Sequence, residues 1–461
     1  MPSLDTIDLL IVAAFFIVVF LIGIIDRKKV KLEDYWVNNR KTNKFILVAT
    51  TLSTFIGVGS ILGLAGVTYS GAGFGSFVLV GSFFLYFLIF AKFFAPKIKE
   101  FGDRHNAYTL PDFLEFRYSK KVRVAGSLVN LITYGFWLAL QMLGVGVFIS
   151  TVGGFDPLIG TAIGGLIVIA YTSIGGLRAD IRTDVVQFFV MSTLVIVFLP
   201  VLVINSGGLE SLTNLPISFL AGTEFAPLYV FIFGFIFLGA TNLTSSDIWQ
   251  RAYAGDTTQN VKWAMKISSI LVLLFLAMAV FFGIYGKILL PDVGPNNVVP
   301  ELLNRLLPAG IFGLVLIGFF AAIMSSADTM LLITSMTIVH DIYQKTFNKQ
   351  LSDEATLRAS RWVTLVVGIL SLAVALIVLN IVHLAIDAIS FVVVLIPAIV
   401  FGFYWKKANS TAAFWSIVLG LVTITVFLFI DPIQAFIPGI IVSFLTFLIV
   451  NRFTKKITRI S

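Results

Sequence analysis

The chain has 461 residues, 58% of them apolar and 12% charged, with 32 lysines and arginines against 24 acids and a net charge of +8. Soluble domains carry about 25% charge, so this composition excludes an ordinary soluble globule and points to an integral membrane protein with many spans. The lack of cysteine removes disulfides, thiolate metal sites and cysteine nucleophiles, and three scattered histidines, His105, His340 and His383, do not make a histidine-rich metal centre.

A membrane helix needs about 20 mainly apolar residues. Thirteen such stretches follow in chain order, at 7–25, 45–69, 73–96, 123–151, 157–176, 180–204, 227–246, 261–288, 309–341, 358–379, 385–404, 410–430 and 433–450. They are twice as long as barrel strands and do not alternate, so the expected fold is an all-α polytopic membrane protein with thirteen transmembrane helices. The gaps at 97–122 and 205–226 have room for a short amphipathic helix at most, and no separate soluble domain is expected. The first stretch does not read as a cleaved signal peptide. Asp5 stands where a basic region belongs, and Ile24, Ile25 and Asp26 replace a small-residue cleavage site.

Charge sets the orientation. The loop after the first stretch carries Arg27, Lys28, Lys29, Lys31, Arg40, Lys41 and Lys44. Counted onward through the spans, thirty of the 32 basic residues fall on that side, and only Lys287 and Arg305 fall opposite. Basic loops face the cytoplasm, so the amino terminus is expected outside and the carboxyl terminus inside. The basic balance then reflects topology and affinity for anionic membrane lipids on the cytoplasmic side, not a nucleic-acid surface.

Polar residues interrupt several runs. The 45–69 stretch holds Ser53, Thr54, Gly57, Gly59, Ser60, Gly63 and Gly66. Such glycines permit either close helix packing or a helix broken in mid-membrane, with freed carbonyls that face protein, water or an ion. Tyr134, Trp137 and Gln141 read as bridges between helices, and Asp184 with Gln187 as helix capping and charge balance near a helix start. Asp247, Gln250 and Arg251 follow the 227–246 stretch, with Arg251 expected to be structural in a cytoplasmic loop. In the 309–341 stretch, Ser325, Asp328 and Thr329 share a face by i, i+3, i+4 spacing, beside Ser326. Hydroxyls alone can cap their own backbone. A carboxylate at that depth needs a pair, a proton or a cation. Hydroxyl, carbonyl and carboxylate oxygens suit a hard cation such as sodium, and holding water in a transport path is the rival role.

Six motifs carry a resemblance. They are Glu33-Asp34-Tyr35-Trp36-Val37-Asn38-Asn39-Arg40; Tyr108-Thr109-Leu110-Pro111-Asp112-Phe113-Leu114-Glu115-Phe116-Arg117-Tyr118; Gly175-Gly176-Leu177-Arg178-Ala179 with Thr183-Asp184-Val185-Val186-Gln187; Asp247-Ile248-Trp249-Gln250-Arg251; Ala321-Ala322-Ile323-Met324-Ser325-Ser326-Ala327-Asp328; and Pro397 with Gly402-Phe403-Tyr404-Trp405-Lys406-Lys407-Ala408-Asn409. Over nearly its whole length the chain resembles the sodium:solute symporter family, which includes sodium/proline, sodium/pantothenate, sodium/glucose and sodium/sialic-acid symporters. Arg182 departs from the family's usual tryptophan. The resemblance implies two inverted five-helix repeats, at 45–204 and 227–404, with broken first helices. One helix precedes them, and two peripheral helices and a cytoplasmic tail follow in 405–461.

It also implies a main sodium site on Ile56, Gly59, Ala322, Ser325 and Ser326. In members with a second sodium, the ligands would fall on Asp184, Ser325, Asp328 and Thr329, with threonine in place of the usual serine. The implied activity is secondary active transport by a monomer, without a resident cofactor. Sodium influx would drive uptake of a small organic solute, such as proline, pantothenate or a monocarboxylate, by alternating access. Proton coupling through Asp328 or Asp184 and a transporter-like membrane sensor are the alternatives. No nucleophile–base pair suggests an enzyme.

Overall fold

The computed structural model describes residues 5–25, 32–172, 177–347 and 351–454. Asp26, Arg27, Lys28, Lys29, Lys31, Gly175, Gly176, Lys349, Lys455, Lys456 and Arg459 lie outside the described residues, as do the side chains of Asp34, Tyr35, Leu177, Arg178 and Ala179.

The described chain is built of helices: α1 (Thr6–Ile25), α2 (Lys44–Phe55), α3 (59–72), α4 (76–105), α5 (Leu110–Arg117), α6 (Lys120–Gly153), α7 (Pro157–Thr172), α8 (177–205), α9 (Leu228–Phe237), α10 (Ser246–Ala254), α11 (Thr258–Leu289), α12 (Val298–Leu306), α13 (Ile311–Phe347), α14 (Asp353–Val378), α15 (Ile381–Tyr404), α16 (Ser410–Leu428) and α17 (Pro432–Phe453). Among the described residues, ten helical runs are long and apolar enough to cross a membrane, and Thr6–Ile22, Lys44–Phe55 and Pro157–Ala170 are shorter apolar helices.

Many helix starts are written locally. The side chains of Asn43, Thr109, Thr257, Ser352, Asn380 and Asn409 accept backbone N–H groups at the starts of α2, α5, α11, α14, α15 and α16. Each satisfies donors that a helix start leaves without partners.

Burial ranks the helices. The most apolar window of α13 is 83% buried, against 28% for those of α8 and α14, which puts α13 at the centre. It packs against α1, α2, α6 and α8, while α16 and α17 pack chiefly on each other. Lipid-facing helices can afford no polar outer face, and the exposed side chains of α14 include Trp362, Val366, Ile369, Leu370 and Ile377.

One expected boundary is corrected. The stretch expected to end at 246 does not end there. α9 stops at Phe237, a 3-10 turn covers Gly239–Leu243, Ser245 is extended, and α10 resumes at Ser246. The polar residues that resemble an end in the hydropathy pattern mark an interruption instead. Arg251 therefore lies in α10 and is 1% exposed, not in a loop. The two interrupted runs are stitched together, because Thr42 donates to the Ala254 carbonyl at 3.0 Å and accepts from the Asp256 N–H at 3.0 Å.

The first helix is pinned to the central one by a single carboxylate. Asp8 Oδ1 accepts the N–H groups of Gly310 at 2.7 Å and Gly313 at 2.8 Å, at the start of α13. Asp8 is 2% exposed, and α13 receives no cap from its own preceding residue. Asp8→Ala is expected to destabilise the protein by about 1–3 kcal/mol, since one buried and one half-buried donor lose their acceptor. Thermal unfolding should show Asp8→Asn, which keeps an acceptor oxygen, to be milder.

Candidate functional site

The glycine-rich stretch is broken. α2 ends at Phe55, Ile56 is extended at φ −88°, ψ 101°, and helix resumes at Gly59. A helix end leaves its last carbonyls without internal partners. Here those carbonyls face α13. The Ser325 hydroxyl lies 2.7 Å from the Ser53 carbonyl, 2.9 Å from that of Ala321 and 3.0 Å from that of Ala322. The Ser326 hydroxyl lies 2.9 Å from the Thr54 carbonyl, 3.1 Å from that of Ala322 and 3.4 Å from that of Ile56. Each hydroxyl has one hydrogen to donate, so most of these acceptor pairs face each other without a proton between them.

The break is supported from α6. Gln141 Oε1 accepts the Val58 N–H at 3.0 Å, one of the donors freed by the interruption. Gly57 is packed so closely that a Cβ there would sit 2.5 Å from Ser326 Oγ and 2.9 Å from Gln141 Oε1. Glycine is thus required by the approach of three elements at one point. The Gly59 carbonyl accepts the Leu64 N–H inside α3. Among the residues expected to bind the main ion, the structure gathers Ile56, Ala322, Ser325 and Ser326. Ser53 and Thr54 join them, and Gly59 opens the next helix.

A second cluster lies beside the first. Arg251 Nη2 reaches Thr54 Oγ1 at 2.6 Å, Thr329 Oγ1 at 2.7 Å, Asp180 Oδ2 at 2.9 Å and Asp184 Oδ2 at 3.3 Å. Thr50 donates to the Asp184 carboxylate, and Thr329 donates to Asp180 Oδ2 at 3.0 Å. Asp184 is fully buried and lies inside α8, not at its first turn, so its environment is this ion pair and not a helix cap. Asp184 and Thr329, two of the expected second-site residues, come together around the guanidinium. Asp328, one residue earlier on α13 and about 100° around the helix, is only partly buried. Asp180 went unread in the sequence, although its i, i+4 spacing to Asp184 places both on one face.

A cavity of about 190 Å³ adjoins both clusters. It touches both interruptions, at Gly57 and Ser60 and at Asn242 and Ser245, and Ser326 lies in its wall. Trp137 from α6 and Phe83 from α4 supply aromatic surface. Tyr134 and Gln141 do bridge helices. The Tyr134 hydroxyl donates to Asp247 Oδ1 at 2.5 Å across the second interruption, and Trp249 Nε1 donates to the Leu243 carbonyl at 2.8 Å. No lysine or arginine lines the cavity among the described residues.

Two interrupted helices sharing one small cavity are the construction of a membrane transporter. The comparisons agree. The family model described as the sodium:solute symporter family matches residues 35–420, and the chain belongs to that family. It is 28% identical to the sodium/pantothenate symporter of Escherichia coli strain K12, covering 96% of each chain. It is 25% identical to the high-affinity proline transporter PutP of Bacillus subtilis strain 168, covering 92% of this chain and 93% of the relative. The fold matches that of a Na+-coupled sialic acid symporter solved in a substrate-bound outward-open state. The TM-score is 0.81 and the identity 18%, over 98% of each chain.

Proposed function

We propose that the protein couples sodium influx to the uptake of a small organic solute by alternating access. The oxygen cluster between the end of α2 and Ser325 and Ser326 carries this reading. Carbonyls of Ser53, Thr54 and Ile56, freed by the break, converge on two hydroxyls with one hydrogen each, beside the helical carbonyl of Ala322. A hard monovalent cation matches that donor set, by the same oxygen preference that governs calcium and magnesium sites. Sodium there ties the broken helix to α13. The interruption at Gly57 and the resumed helix at Ser60 are also cavity wall, so ion and solute share one segment and each orders it for the other.

The driving force is adequate. A monovalent cation moving through 100 mV supplies about 2.3 kcal/mol before its concentration gradient is counted, and couplings between sites are typically about 1–3 kcal/mol. In this reading residues 45–204 and 227–404 are the inverted repeats, each opened by one interrupted run. The amino terminus lies outside. Asp184 and Thr329 take a second sodium only when Arg251 withdraws from them. The reading needs no resident cofactor.

The cavity's size and its mainly apolar lining favour a small solute, such as proline, pantothenate or a monocarboxylate, over a large sugar. With no basic side chain in the wall, a solute carboxylate is balanced by the sodium and by backbone N–H groups at the interruptions. Ser325→Ala removes one ligand oxygen. It is expected to raise the sodium concentration for half-maximal uptake by about ten-fold, the size of one lost charge-assisted contact. Uptake into proteoliposomes across a sodium series checks this, and an unchanged sodium dependence would place the ion elsewhere.

A further inference from the structure

Where α13 ends, three possible metal ligands from two separate elements meet away from the sodium cluster. One carboxylate oxygen each from Asp112 and Asp341 and a ring nitrogen of His340 lie within 4.8 Å of one another. Asp112 belongs to α5, and His340 and Asp341 to the last turns of α13. His340 Nε2 stands 3.5 Å from Asp112 Oδ2, longer than a well-formed hydrogen bond. That separation is close to the edge of about 3.3 Å that a tetrahedral zinc ion with bonds near 2.0 Å would set between two ligands. The other ring nitrogen, Nδ1, lies 3.4 Å from Gln344 Oε1, the orienting contact that metal-bound histidines have.

Asp341 supplies the independent pointer. The residue is fully buried; its Oδ1 accepts the Thr109 hydroxyl at 2.9 Å, and its Oδ2 has no partner. A buried carboxylate oxygen without a donor is costly, and a metal ion would complete it. Asp112 is fixed in place by its Oδ2, which accepts the Tyr108 N–H at 2.8 Å and the Thr109 N–H at 3.3 Å. Lys345 Nζ, 2.5 Å from Asp112 Oδ1, is the competing cation. That lysine side chain is 36% exposed and can swing into solvent.

We propose that Asp112, His340 and Asp341 form a binding site for a borderline divalent transition metal, with Zn2+ as the test ion. One nitrogen and two carboxylate oxygens are ligands that zinc accepts, with water completing the set. The bound ion would clamp α5 to the end of the helix that carries Ser325 and Ser326. The site does not depend on the transport reading, and its test uses no transport.

The test is a titration of purified, chelator-stripped full-length protein. Co2+ is followed by its visible absorption, and Zn2+ by thermal unfolding. One equivalent is expected to give a tetrahedral cobalt band, and zinc to raise the unfolding temperature by binding the native state. His340→Gln should weaken binding by about ten-fold or more. Lys345→Met removes the competing ammonium and should tighten binding, which keeps the test decisive if His340→Gln folds poorly. Absence of the cobalt band, equal affinity in His340→Gln, or weaker binding in Lys345→Met would each overturn the site.

Discussion

Arg251→Gln is expected to abolish uptake and to lower stability by about 3–5 kcal/mol, the usual effect of removing one partner from a buried ion pair. The guanidinium is 1% exposed and its Nη2 contacts residues of α2, α8 and α13 from a position on α10. Without it, Asp180 and Asp184 keep only the hydroxyls of Thr50 and Thr329 and lose the guanidinium charge that balances them. One must take up a proton or the helices must part to admit water. Lysine is a poor substitute, because it cannot span several acceptors with one planar fork. Thermal unfolding of purified Arg251→Gln measures the loss. Adding Asp180→Asn to the variant removes one stranded carboxylate and should recover part of the stability, so the recovery reports the pair itself. A variant as stable as the wild type would mean that the cluster is not the tie described here.

The second large effect is expected at Gly57. A methyl group there would lie 2.5 Å from Ser326 Oγ, 2.9 Å from Gln141 Oε1 and 3.0 Å from Gln141 Nε2. Gly57→Ala must therefore displace the Ser326 hydroxyl and the Gln141 amide from the interruption. We expect a cost of about 1–3 kcal/mol from overpacking and a loss of uptake greater than that cost alone would give, because Ser326 Oγ is a proposed ion ligand and Gln141 supports the break. Gly59→Ala is the control. Its Cβ would meet mainly Leu140 Cδ2 at 3.1 Å, the flexible end of one side chain. Uptake measured beside thermal unfolding separates the two effects. Equal uptake in the two alanine variants would contradict the special role of Gly57.

Much of the architecture is legible in the chain because the bilayer imposes one rule, long apolar runs ended by charge or by Gly, Pro and Asn. The first interruption shows itself through Gly57, Gly59 and Ser60, residues with little other reason to crowd one span. The second is legible in kind but not in place. Its polar residues, Thr241 to Asp247, form an uncharged run followed by an acid, and hydropathy reads such a run as the end of a helix. That is why Arg251 reads as a loop residue in the sequence. Its true partners, Asp180 and Asp184, are set by helix packing between distant parts of the chain, which no local pattern records. The carbonyls of Ser53 and Thr54 are invisible for a related reason. Backbone oxygens carry no side-chain signature, and their exposure depends on where the helix breaks. The meeting of Asp112 with His340 and Asp341 is likewise a product of the fold alone.

In the proposed reading the ion cluster consists of serine hydroxyls and carbonyls, which do not titrate near neutral pH, so coupling to protons would instead have to run through Asp184 or Asp328. The most direct test is equilibrium binding of radiolabelled sodium to purified protein and to the Ser325→Ala/Ser326→Ala double variant. The account predicts saturable binding in the wild type, and its loss in a double variant that keeps the native unfolding temperature to within a few degrees. Undiminished sodium binding by that folded double variant would contradict it.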